Sequence, residues 1–312
     1  MTKKIAFMFP GQGSQYVGMG QELYNKYELA RELFYQANVT LGYDLTKIMF
    51  EGPIETLTQT QYTQPAIFTL SAVVTAILAE RGIKPHIVAG HSLGEYAALA
   101  ASGIIGFEEG LKLVQIRGQL LQESAHLHPG TMAAIIGLDD DKVKAICENI
   151  KPEVVEAVNY NCPGQLVIAG ETAAVQAAMS EAQKAGATKV IQLQVSGPFH
   201  SSLMKEASFK YEKELDAFEL HNPVVPIVAN YHAKFIQDTA EAKEAMVKQI
   251  FSPVLWKESV QQLINNGADY FVEAGPGKTL CGLLKRINRK MPCANVADSQ
   301  TLEDLISQVN KI

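Results

Sequence analysis

Ser92, His200 and Arg117 are the side chains of this sequence whose types and settings can do chemistry together. Ser92 lies in Gly90-His91-Ser92-Leu93-Gly94, a Gly-x-Ser-x-Gly string. The apolar run 87–89 precedes it, and a small-residue run ending at Gly103 follows. That order predicts a strand, a tight turn and a buried helix. On such a turn a serine stands above the sheet and can attack a carbonyl once a base takes its proton. The two glycines leave room where a Cβ would meet the neighbouring strand and helix. The N–H of Leu93 and the start of the next helix face the place where an oxyanion would form. The string alone is equally a glycine-rich turn; its flanking strand and helix favour the nucleophile.

The candidate base comes much later, in Val195-Ser196-Gly197-Pro198-Phe199-His200-Ser201. A lone histidine is commonly structural. Here the order is serine and then a distant histidine, as in α/β-hydrolase-like enzymes. His126 and His128 lie at a helix end, His221 and His232 near polar turns, and His86 just before a strand. His91 sits inside the turn, with its side chain expected to point away from the serine. Arg117 falls in a predicted helix over 107–127, among Leu111, Leu113, Val114, Ile116, Leu120 and Leu121. A cation among apolar neighbours needs a carboxylate. A salt bridge within the protein would supply it; otherwise a substrate can.

The elements that must hold these groups can be read in order. A first strand over 5–9 runs into Pro10-Gly11-Gln12-Gly13-Ser14-Gln15. That loop lacks the Gly-Lys-Ser/Thr of a Walker loop, and its glycines have the wrong spacing for a dinucleotide fingerprint. It is either a plain turn or a second source of oxyanion donors. Short helices are expected over 16–52. A buried helix opens at Gln64-Pro65, with proline in its first turn. From Thr131 the pattern becomes strand 132–136, helix 139–150, strands 154–159 and 165–169, helix 172–185 and strand 189–195. This β-α-β-β-α-β order predicts a ferredoxin-like unit. The last third returns to α/β, with strands at 224–229 and 270–273 and helices at 240–251, 280–287 and 302–309. The expected organisation is a discontinuous hydrolase-like α/β domain with a parallel sheet, 1–126 and 197–312. A small ferredoxin-like subdomain, 127–196, is inserted in it.

Composition narrows the class. The 312 residues are 47% hydrophobic and 19% charged, which fits a folded enzyme and not a disordered chain. A net charge of −6 speaks against nucleic acid as the main partner. Cys147, Cys162, Cys281 and Cys293 have no zinc-like spacing and read as reduced and mostly buried. The apolar part of the uncharged stretch 56–79 falls short of the ~20 residues of a membrane span. A bacterial-type cytoplasmic monomer without a metal is the simplest expectation. Lys285, Arg286, Arg289 and Lys290 form a basic cluster, either a solvated helix end or a landing site for an acidic partner.

With these pieces assembled, the sequence resembles the malonyl-CoA:acyl-carrier-protein transacylases of bacterial fatty-acid synthesis. The resemblance rests on Phe9 to Gln15, on Gly90-His91-Ser92-Leu93-Gly94-Glu95-Tyr96 and on Arg117. It extends through Asn159-Tyr160-Asn161-Cys162-Pro163-Gly164-Gln165, Gly197-Pro198-Phe199-His200-Ser201, Gln249 ahead of Ser252-Pro253-Val254, and Glu273-Ala274-Gly275-Pro276-Gly277-Lys278. It implies Ser92 as nucleophile, His200 as base, and a backbone carbonyl near Gln249 orienting the histidine in place of a carboxylate. It implies an oxyanion hole from the amides of Gln12 and Leu93, and Arg117 holding the malonyl carboxylate. Phe199 matches the malonyl-type pattern, not the methylmalonyl-type Tyr-Ala-Ser-His, and Gln64 and Asn161 are implied to line the site. No cofactor is implied; the substrates are malonyl-CoA and the phosphopantetheine thiol of acyl carrier protein, which the basic cluster would meet. The rival readings are a serine esterase or thioesterase, an acyltransferase serving a polyketide synthase in trans, and a non-catalytic carrier-binding protein.

Overall fold

Two sheets divide the work in the computed structural model, which describes residues 3–309. Strand β1 (Ile5–Phe9) leads into helices α1 (Gln21–Lys26), α2 (Glu28–Leu41), α3 (Leu45–Glu51), α4 (Ile54–Leu57) and α5 (Thr60–Glu80). Next come β2 (Ile87–Gly90), α6 (Gly94–Ser102) and α7 (Phe107–Leu127). The middle third is β3 (Gly130–Ile136), α8 (Asp140–Asn149), β4 (Val155–Cys162), β5 (Gln165–Glu171), α9 (Thr172–Lys184) and β6 (Lys189–Gln192). A short 3₁₀ turn (Ser202–Met204) precedes α10 (Lys205–Leu215), β7 (Ile227–Val228) and α11 (Thr239–Gln249). The chain closes with α12 (Trp256–Asn265), β8 (Tyr270–Ala274), α13 (Thr279–Ile287), β9 (Cys293–Val296) and α14 (Ser299–Val309).

The larger sheet has the order β7-β2-β1-β8-β9, with every neighbouring pair parallel. Strands β1, β2 and β8 are buried throughout, as expected of a parallel sheet covered on both faces. Alternation along each strand sends side chains to opposite layers. Phe7, Phe9 and Val88 pack with Phe34 of α2, Phe68 and Leu70 of α5, and Leu111 and Val114 of α7. Ala6, Met8, Ile87 and Ala89 pack on the other side with Trp256 and Val260 of α12 and Leu280 and Leu284 of α13. The smaller sheet has the antiparallel order β4-β5-β3-β6, with α8 and α9 packed on it, which is the ferredoxin-like arrangement. Its edge strand β4 is stitched to the large body: Tyr160 N donates to Val254 O (2.9 Å) and Val254 N to Val158 O (2.7 Å).

Four expectations change. Helix α5 begins at Thr60, so Pro65 lies inside it and not in its first turn. Proline there forfeits the single bond its nitrogen would make one turn back, and the helix, buried along most of its length, absorbs that loss. The 21-residue α5 holds an 18-residue stretch of mean hydropathy 1.4, long and apolar enough to cross a membrane, yet 72% of that stretch is buried within the protein. Strand β7 is confined to two residues because Ala229 turns back through Lys234 and Ala233 holds φ 52°. Cys281 and Cys293 are joined in a disulfide, with Cα atoms 5.6 Å apart, while Cys147 and Cys162 are free and buried. Their pairing depends on α13 folding back beside β9, a reversal invisible in their spacing.

The position of the turn after β2 is set by close approach. A Cβ on Gly94 would overlap the Phe9 carbonyl, and one on Gly90 would overlap the Gly94 carbonyl. Gly94→Ala is therefore expected to lower folding stability by about 2 kcal/mol, as overpacking a close contact does. Chemical denaturation at equilibrium checks this; an unchanged midpoint would contradict the packing argument.

Candidate active site

Ser92 lies in the turn between β2 and α6, just ahead of the helix N-cap Leu93, and its φ is 50°. Three non-glycine residues among those described adopt positive φ: Ser92, His200 and Ala233. A left-handed backbone at a side-chain-bearing residue is costly and persists where the surroundings impose it. Two of these three are the serine and histidine singled out by the sequence. Ser92 Oγ lies 2.7 Å from His200 Nε2. His200 Nδ1 lies 2.8 Å from the backbone oxygen of Gln249. A carbonyl oxygen can only accept, so Nδ1 carries the proton and Nε2 presents its lone pair to the serine hydroxyl. Gln249 ends α11, and the last carbonyls of a helix have no intrahelical partner, which frees this one for the histidine. His200 is 4% exposed. Burial, with the Arg117 guanidinium next in effect, lowers its pKa from 6.5 to about 3, so the imidazole is neutral near pH 7.

Arg117 is 2% exposed on α7. Its Nη1 donates to Gln64 Oε1 (2.9 Å) and its Nη2 to Gln249 Oε1 (2.9 Å). Nη2 also reaches Ser92 Oγ at 3.4 Å, and Nε has no partner. No carboxylate forms a salt bridge with it among the described residues. The Tyr96 ring lies 5.5 Å from the guanidinium carbon. Glu95, fully buried on α6, accepts from Asn230 N at 2.6 Å. Burial raises the Glu95 pKa to about 7 against the opposing pull of that N–H, the Gln249 amide and Arg117.

A cavity of about 90 Å³ lies over Ser92, lined by Gln12, Gln64, Arg117, Phe199 and His200 with apolar Leu121, Met132, Leu193 and Val195. A second, of about 200 Å³, shares Gln12, His91, Asn159 and Leu193 with it and runs to Leu280 and Leu283 of α13. Asn161 lines this second space, and its Oδ1 accepts from His91 Nε2 at 2.8 Å. His91 thus turns from the serine, its ring edge-on to Trp256. Neither Gln12 N nor Leu93 N donates to an acceptor among the described residues. The basic cluster is exposed; Arg286 Nη1 donates to Gln165 Oε1 (2.8 Å), spanning α13 and β5.

The sequence reading named Gln249 for its carbonyl alone and missed two contributions, the Gln249 side chain and Asn230. Gln249 acts with its side chain as well as its carbonyl: Nε2 donates to Ser92 O at 2.9 Å while Oε1 takes Arg117. Asn230 accepts from Ser92 N and donates to Gly90 O, each at 2.7 Å. Its only sequence signal is a polar residue where a predicted strand ends. Chemically, the arrangement is a serine against a neutral imidazole, beside a desolvated cation whose partners are neutral, in a space that fits a small acyl group and opens to a longer one.

The pattern of the acyl transferase domain family matches residues 6–306. A malonyl CoA-acyl carrier protein transacylase of Bacillus subtilis is 43% identical over 302 residues, spanning 96% of this chain and 95% of the relative. One of Staphylococcus aureus MRSA252 is 41% identical over 304 residues, 97% of each chain. Among solved structures, an acyl carrier protein S-malonyltransferase of Vibrio cholerae superposes with a TM-score of 0.94 at 41% identity, over 97% of this chain and 99% of that one. A malonyl-transacylase solved with a type II polyketide synthase acyl-carrier protein superposes at 0.95 with 38% identity, over 98% and 99%. With the family pattern covering nearly its whole length and relatives above two-fifths identity end to end, the chain belongs to the malonyl CoA-acyl carrier protein transacylase family.

Proposed function

We propose that this chain moves a malonyl group from malonyl-CoA to the phosphopantetheine thiol of an acyl carrier protein, through a malonyl ester on Ser92, for fatty-acid synthesis. Ser92 Oγ attacks the thioester carbonyl while His200 Nε2 takes its proton. The tetrahedral oxyanion is held by the free amides of Gln12 and Leu93, each such donor being worth about 3 kcal/mol. Coenzyme A leaves as the thiol, protonated by His200. The carrier thiol then gives its proton to the same nitrogen, attacks the serine ester, and restores Ser92. Thioester, ester and thioester exchange without change of oxidation state, so the scheme uses side chains and backbone alone.

The observation that carries this reading is the buried Arg117 guanidinium, 3.4 Å from Ser92 Oγ and without a carboxylate of its own. A malonyl carboxylate would complete it with a bidentate pair, for which arginine is better shaped than lysine. Gln64 and Gln249 hold the fork in place, and Phe199 closes the acyl side. The adjoining space past His91, Asn161 and α13 suits the pantetheine arm. Residues 1–126 and 197–312 form the catalytic body in this reading, and 127–196 roof the cavity through Met132, Leu193 and Val195. Lys285 and Arg286 are in the last turn of α13, the helix whose Leu280 and Leu283 line that space, and with the exposed Arg289 and Lys290 they offer an acidic carrier a place to dock. The cytoplasm is the matching setting.

Mixing the protein with malonyl-CoA and reading its intact mass should show one malonyl adduct that Ser92→Ala abolishes; an adduct surviving that change would assign the nucleophile elsewhere. Arg117→Ala should cut the preference for malonyl-CoA over acetyl-CoA by about 100-fold, the scale of a lost charge-assisted pair. Selectivity unchanged in competition assays would remove Arg117 from carboxylate recognition. Reversing charge with Lys285→Glu and Arg286→Glu should lower kcat/KM for the carrier by about 10-fold and leave the malonyl-CoA half-reaction unaltered. Equal losses in both halves would count against docking there.

A further inference from the structure

We propose that Asn230 is a positioning residue for acyl transfer, one side-chain amide that pins the nucleophile turn at both ends and is itself fixed by Glu95. The proposal rests on the reading of Ser92 as nucleophile. Asn230 is fully buried at the turn that follows β7. Its Oδ1 accepts from Ser92 N at 2.7 Å, and its Nδ2 donates to Gly90 O at 2.7 Å. The amide therefore brackets His91 and closes the sharpest part of the chain between β2 and α6. Only an amide offers an acceptor and a donor side by side at this size. Aspartate would set an anion against the Gly90 carbonyl, and alanine would leave two buried backbone groups unpaired.

The clamp is anchored in turn. Asn230 N donates to Glu95 Oε2 at 2.6 Å, and Glu95 is fully buried in the first turn of α6. Asn230 O accepts from Leu255 N at 2.9 Å, next to Val254, which pairs with β4. The nucleophile turn is thereby tied to α6 on one side and to the smaller sheet on the other. Two consequences follow for the chemistry. The left-handed Ser92 is held where its Oγ meets His200 Nε2. With Ser92 N occupied by Asn230, the free amide at the turn is that of Leu93. Asn230 does not line the cavity and touches no reacting atom, so it acts through Ser92.

The test compares Asn230→Asp, Asn230→Ala, Glu95→Gln and Glu95→Ala with the parent. It reads kcat and KM with malonyl-CoA and carrier protein, the rate of adduct formation by rapid-quench intact mass, and the thermal unfolding midpoint. Asn230→Asp and Asn230→Ala should lower kcat and the acylation rate by about 100-fold, the effect of roughly ångström misplacement of a reacting group. KM should stay near the parent value, because the groups that bind malonyl are intact. Glu95→Gln keeps an acceptor for Asn230 N and should retain most of kcat, whereas Glu95→Ala should lose it. If the Asn230 variants fold poorly, the Glu95 pair decides by itself. Parental kcat in folded Asn230 variants, or equal behaviour of Glu95→Gln and Glu95→Ala, would overturn the clamp. A surviving adduct in Ser92→Ala would instead overturn the nucleophile reading, which keeps the two failures apart.

Discussion

A buried guanidinium given neutral partners is the constraint on which this structure turns. Burying a cation is unfavourable unless its donors are satisfied. Arg117 meets that requirement in part, with two glutamine oxygens, Gln64 on α5 and Gln249 on α11, while its Nε stays without a partner. Those two helices therefore both send a glutamine to α7. Gln249 reaches Arg117 with its side-chain oxygen while its backbone carbonyl meets His200 and its amide nitrogen donates to Ser92 O. One residue thus couples the charge of the pocket to the orientation of the base and the shape of the nucleophile turn. Burial, with the same cation next in effect, keeps the imidazole neutral.

Steric contact supplies the second half of the arrangement. The first turn of α6 is pressed against the end of β1 so closely that Gly94 has no room for a Cβ. Ser92 absorbs the curvature by adopting φ 50°, and Asn230 takes up the polar groups that the bend exposes. The parallel sheet beneath is buried on both faces, so the turn has a firm base. Cavity walls come from loops and helices of the larger body and from the smaller sheet, and the stitch between β4 and Val254 joins the two.

Much of this was legible from residue types and order. The strand–turn–helix around Ser92, the β-α-β-β-α-β unit and the apolar surroundings of Arg117 are local patterns, and local patterns survive in a linear sequence. The distant His200 became legible through chain order and the Gly197-Pro198 junction. What stayed hidden depends on side-chain contacts between remote segments. The Asn230 amide lies 138 residues from Ser92 along the chain. The double duty of Gln249 needs the geometry of a helix end. Cys281 and Cys293 meet because α13 reverses onto β9, and their spacing of 12 resembles no recognised motif. Helix α5 began before its proline because burial outweighed one missing hydrogen bond.

The strand order of the larger sheet also bears on how the chain acquires its shape. β1 is central, yet one neighbour is β2 and the other is β8, close to the C-terminal end. During synthesis the first strand must therefore wait for nearly the whole chain before its second edge is paired. Long-range parallel pairing of this kind is slow and leaves apolar edges open meanwhile. The smaller sheet, by contrast, is contiguous from β3 to β6 and can close as soon as it emerges. The insert can thus be a finished object around which the body assembles, and the nucleophile gains its surroundings among the last events of folding.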